Sequence, residues 1–82
     1  MRCMLVYDIP NDRVRTKVAD FCLDFGLDRV QYSAFVGELS RNRMEELMTK
    51  IKDKIGKHPA RVMLLPVPAE GWETRLIYDR AN

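Results

Sequence analysis

The residues best equipped for chemistry fall within one short stretch, Leu5 to Val18. An apolar run, Leu5-Val6-Tyr7, ends on a carboxylate, Asp8. The turn Ile9-Pro10-Asn11-Asp12 follows, and Arg13, Arg15 and Lys17 then crowd the next segment. Strand ends and the loops after them are where scaffolds place functional groups. One carboxylate is a sparse Mg²⁺ site, because that ion keeps several waters and borrows phosphate oxygens. Two copies of Asp8 related by a two-fold axis make a better one. The chemistry this predicts is metal-assisted phosphodiester cleavage across a symmetric cleft, with the neighbouring arginines holding the backbone. The plainer alternative is that Asp8 leaves the core and opens a turn.

A second basic region runs from Arg41 to Arg61, with seven basic residues against three acids. It carries +4 and leaves −2 for the remainder of a chain whose net charge is +2. Arg43, Lys50, Lys54 and Lys57 fall near one helical stripe. Either they form a solvated face supported by pairs such as Glu46–Lys50, or they track a nucleic-acid backbone, reading phosphates and not sequence. Arg13, Arg15 and Lys17 would extend such a patch. Other chemistries lack their signatures. There is no glycine-rich phosphate loop, and Cys3 and Cys22 have no metal-ligand spacing. His58 has no triad or zinc partner nearby, and Ser33 lacks a nucleophile-elbow context. The two cysteines sit among apolar neighbours as core filler, which fits a reducing cytoplasm. No signal-like segment or membrane-length apolar run is present, so no membrane partner is expected.

The elements that must position these residues follow from periodicity. Met1 to Asp8 reads as a buried strand. Helix one starts at Asn11 or Asp12 and buries Val14, Val18, Phe21, Cys22 and Phe25. It closes at Gly26. Arg29 to Leu39 is one bent strand or two short ones broken near Tyr32-Ser33. Asn42 with Glu45 predicts a capping-box start for helix two, whose apolar face is Met44, Leu47, Met48, Ile51 and Ile55, with Gly56 at its end. Arg61 to Val67 is a strand fenced by prolines. Thr74 to Tyr78 predicts one more. With 82 residues this is a single domain, residues 1–82. The expected fold is an α+β ferredoxin-like sandwich, β-α-β-β-α-β. The extra C-terminal strand, about residues 73–79, has no partner within that plan. An open edge on so small a domain predicts pairing with another subunit.

Two blocks carry a resemblance. The first is Tyr7-Asp8-Ile9 with Arg15 and Lys17 after it and Phe25-Gly26 closing the helix. The second is Arg29-Val30-Gln31-Tyr32-Ser33-Ala34-Phe35 with Leu39-Ser40 following. Together, from about Cys3 through Val67, they closely resemble the CRISPR-associated protein Cas2 family. That resemblance implies a ferredoxin-like homodimer whose C-terminal strand joins the partner's sheet. It also implies a Mg²⁺-dependent endonuclease acting on single-stranded RNA or double-stranded DNA, with Asp8 at the position of the catalytic metal ligand. The biological role it implies is CRISPR adaptation in antiviral defence. There the dimer bridges the Cas1 integrase and holds DNA or RNA by its backbone, here through Arg13, Arg15, Lys17, Lys50 and Lys54; a purely architectural dimer is the alternative. Two departures stand out. Val36 follows Phe35 where the family often has an acid, and Pro59-Ala60 precede Arg61 where it often has Asp-Ser. Both remove polar groups that would assist a metal.

Overall fold

The computed structural model describes residues 1–80 as seven elements: β1 (Arg2–Asp8), α1 (Asp12–Asp24), β2 (Asp28–Gln31), β3 (Ala34–Glu38), α2 (Arg41–Ile55), β4 (Arg61–Pro66) and α3 (Ala69–Glu73). The four strands form one antiparallel sheet in the order β2-β3-β1-β4. The α+β sandwich expected from the periodicity is therefore present, with β1 in the middle. The long apolar segment at residues 29–39 is two strands, turned at Tyr32-Ser33 and irregular between Arg29 and Gln31.

Alternation along β1 divides the sheet into two faces. Cys3, Leu5 and Tyr7 are buried against the helices, together with Val14, Val18, Cys22, Phe35, Leu47 and Ile51. Arg2, Met4, Val6 and Asp8 point the other way. Opposite them in register stand Leu65, Met63 and Arg61 of β4, and Val36 and Ala34 of β3. No long helix covers this second face.

Helix ends explain themselves locally. The Asn11 side chain accepts a hydrogen bond from the Val14 N–H (3.0 Å) to cap α1. At its other end the Leu27 and Gly26 N–H groups donate to the Cys22 and Leu23 carbonyls (3.0 and 2.9 Å). This 6→1 and 5→2 pair requires a left-handed residue, which Gly26 supplies at φ +86°. At Gly37 the requirement is space, because a Cβ there would lie 2.7 Å from Leu27 Cδ2.

One expectation needs correcting, and a second depends on a partner chain. Helix α2 is capped by Ser40, whose hydroxyl accepts from the Arg43 N–H (3.2 Å), and not by the Asn42–Glu45 box. Asn42 lies two positions too late, already inside the helix, and Glu45 instead meets Arg41 (3.3 Å). The strand expected over about 73–79 is not formed in the single chain. Ala69–Glu73 is a short helix, and residues 75–80 belong to no element. A lone strand needs a neighbouring ladder, whereas a helical turn satisfies its own groups. Thr74 Oγ1 accordingly donates to the Glu70 carbonyl (2.7 Å). Residues 81–82, the end of the expected domain range, lie outside the described residues.

Candidate active site and nucleic-acid surface

Asp8 closes β1 on the uncovered face, exposed, with Arg61 as its register partner across β4. Among the described residues its carboxylate is in no ion pair. The backbone around it is held from three directions. Tyr7 N–H donates to the Ser33 carbonyl (3.1 Å), Ile9 is buried next in sequence, and Arg15 Nη1 donates to the carbonyls of Ile9 (2.9 Å) and Pro10 (3.2 Å). The same guanidinium pairs with Asp12 and lies 5.8 Å from the Tyr32 ring. The hydrogen bond that Arg15 donates to Asp12 is the main cause that raises Arg15 above its ordinary pKa. Arg15 therefore fastens the loop that follows Asp8, where the sequence had suggested a cation free for phosphate.

The other sequence-predicted cations divide by place. Lys17 and Lys50 both approach the Phe21 ring, at 5.6 and 5.2 Å. Lys54 lines the same hollow of about 310 Å³ as Phe21, Lys50 and Asp53. Helices α1 and α2 thus bring together two lysines that are thirty-odd positions apart in sequence. Arg13 lines a neighbouring hollow with Lys17. No lysine among the described residues forms an ion pair. The expected Glu46–Lys50 pair is absent because Glu46 takes Arg43 (2.9 Å), whose guanidinium also lies 4.0 Å from the Phe25 ring. This lysine surface is on the helix side, while Asp8 is on the opposite face. The structure does not merge them into one patch.

Among the described residues no three His, Cys, Asp or Glu side chains converge as a metal cage. One chain offers Asp8 alone. That donor set is too small for an ion held wholly by protein, and suits one that keeps its waters or shares ligands with phosphate.

Sequence reasoning missed Arg29 and Tyr32 as a site-forming pair. Arg29 lies 4.9 Å from the Phe35 ring and 5.9 Å from that of Tyr32. Their nearness in sequence was visible, but Arg15 reaching the same ring was not.

Comparisons with known proteins bear on the family and the fold. The family described as CRISPR associated protein Cas2 matches residues 1–75. The chain is 46% identical over 80 residues to a CRISPR-associated endoribonuclease Cas2 of Chloroflexus aurantiacus, covering 98% of this chain and 94% of that one. It is 34% identical over 76 residues to a CRISPR-associated endonuclease Cas1/endonuclease Cas2 fusion of Thermoproteus tenax, covering 93% of this chain and 29% of the fusion. Among solved structures, a hypothetical protein of Thermus thermophilus aligns with a TM-score of 0.75 at 28% identity, over 83% of this chain and 82% of that one. Streptococcus pyogenes Cas2 aligns with a TM-score of 0.79 at 19% identity, over 98% of this chain and 100% of that one, a likeness of fold.

Proposed function

Because the chain belongs to the CRISPR-associated Cas2 family, we propose that it acts in CRISPR adaptation as a homodimeric, Mg²⁺-dependent endonuclease. The observation that carries this reading is the position of Asp8: exposed, in no ion pair among the described residues, and at the end of a sheet face whose central side chains are apolar. Met4, Val6, Met63 and Leu65 are left half-buried or exposed there. Leu76, Ile77 and Tyr78 of the tail are exposed as well, at 98, 72 and 84%. A second copy meeting this face and tail removes that apolar surface from water. Its two-fold axis brings two Asp8 carboxylates to one cleft. The tail then has the strand edge of the partner to pair with. The unit of action is the single domain 1–82, used twice.

In that cleft the two Asp8 side chains would hold Mg²⁺ as its protein ligands. A metal held there would supply Lewis-acid chemistry at the scissile phosphate. Arg15 keeps the Asp8 loop in place, so the carboxylate is preset. Arg13, Lys17, Lys50 and Lys54 attract the backbone of single-stranded RNA or double-stranded DNA without reading its sequence.

A second reading, an architectural dimer that bridges Cas1 subunits and DNA, is favoured by two observations. The donor set of each chain is one carboxylate, and a relative carries Cas1 and Cas2 in one polypeptide. Cleavage assays on single-stranded RNA and duplex DNA, wild type beside Asp8→Asn, with Mg²⁺ or EDTA, separate the two. Metal-dependent cutting that falls at least about 100-fold in Asp8→Asn is the expected result, a loss in the range set by removing a metal's protein ligand. Equal cutting by both proteins, or by neither, leaves the architectural reading.

A further inference from the structure

On the helix side, away from Asp8, a hollow of about 210 Å³ lies between α1 and the β2–β3 turn. Its walls include Tyr7, Arg15, Asp20, Arg29 and Tyr32. Tyr7 is 6% exposed, its ring stacked at 6.3 Å on Phe35 in the core. Its hydroxyl is buried, and no protein group hydrogen-bonds it. A buried polar atom without a partner carries a desolvation cost that native structures rarely leave uncompensated. Here the hydroxyl belongs to a residue lining a hollow of mixed polar and apolar walls that is several water molecules in volume.

We propose that this hollow binds a terminal phosphate group. Arg29 is in no ion pair among the described residues and stays at the aromatic walls. Arg15 uses three of its five N–H groups on Ile9, Pro10 and Asp12, and Tyr32 also bears on the guanidinium, which leaves at least one for a ligand. Guanidinium groups only donate, and the phenol can donate too, so the groups along its walls call for a ligand made of acceptors. A phosphate monoester offers three anionic oxygens matched to the planar guanidinium fork. Asp20 opposes the anion. It stands exposed at the mouth, where water and salt screen it. A lone phosphate is thereby favoured over a long polyanion, which would run past this carboxylate.

Two sources share this chemistry, free inorganic phosphate and the phosphorylated end of an oligonucleotide. The site differs from the Asp8 cleft in place and needs no metal, so it is tested in EDTA. NMR titrations use inorganic phosphate, a 5′-phosphorylated dinucleotide and its 5′-hydroxyl counterpart. Saturable shifts are expected at Ala19, Leu23 and Tyr32 for the phosphorylated probes and none for the 5′-hydroxyl one. A tighter dinucleotide assigns the nucleic-acid end, and equal affinities assign free phosphate. Arg29→Gln should weaken binding about tenfold or more, the loss of a charge-assisted contact. Tyr7→Phe should weaken it several-fold without lowering Tm, because it removes an unpartnered hydroxyl. Asp20→Asn should tighten it. Non-saturating shifts spread over the surface lysines, or affinity unchanged in Arg29→Gln, overturn the proposal.

Discussion

Asp8 and Arg15 illustrate how far residue identity alone reaches. The acid at the strand end was legible because the apolar run stops there. The role of Arg15 was not, because its partners, two carbonyls and Asp12, are set by how the loop folds back. Cys22 gives a prediction of the same scale. Burial is the largest cause pushing its thiol from the ordinary 9.0 up to about 12, with Arg29 acting in the opposite sense. Because the folded value is the higher one, this stabilisation is complete below pH 9 and declines as pH rises toward 12. The slope is at most about 1.4 kcal/mol per pH unit. Denaturant midpoints at pH 8 and pH 10 should fall further apart for wild type than for Cys22→Ala. In the native state at pH 8, iodoacetamide should leave Cys22 unmodified by mass spectrometry.

At the scale of elements, the helices and strands follow the hydrophobic periodicity, and their ends follow capping chemistry. Ser40 and Asn42 are both good caps, and periodicity alone does not choose between them. The structure does, since only Ser40 precedes the first helical residue with its hydroxyl on the Arg43 N–H. Ser40→Ala should therefore cost about 1 kcal/mol in denaturant unfolding, and Asn42→Ala a small fraction of that. The lysine surface is likewise a product of two elements. Lys17 on α1 and Lys50 on α2 meet over Phe21, with Lys54 beside them. Removing all three charges as glutamines should weaken RNA or DNA of any sequence alike. It should also flatten the dependence of log affinity on log salt by about 2 to 3, as counterion release requires. A change confined to one sequence would point to base contacts instead.

For the whole molecule, the deciding feature is the sheet face left uncovered by α1 and α2. Met63 stands on it, 53% exposed, opposite Val6 in register. If two copies bury this face, Met63→Glu places two charges in the interface and removes two apolar side chains worth about 1.5–3 kcal/mol each. Sedimentation equilibrium should then show a dimer dissociation constant at least about 100-fold weaker, with the monomer still folded by circular dichroism. An unchanged constant would place the dimer contact elsewhere.

The sequence by itself determined the element order, the core stripes of both helices and the acid at the end of β1, because period and chain-neighbour chemistry are local properties. It determined the family too, through two blocks at fixed spacing. Tertiary structure alone decided which face Asp8 occupies, that the lysine surface lies on the other side, and that Tyr7, Arg15 and Arg29 border one hollow. Each of these depends on strand order and pleat parity. Shifting a strand by one residue moves every side chain to the opposite face. The C-terminal segment marks the boundary between the two: its residues read as a strand, but a strand exists only where an edge is there to pair with it.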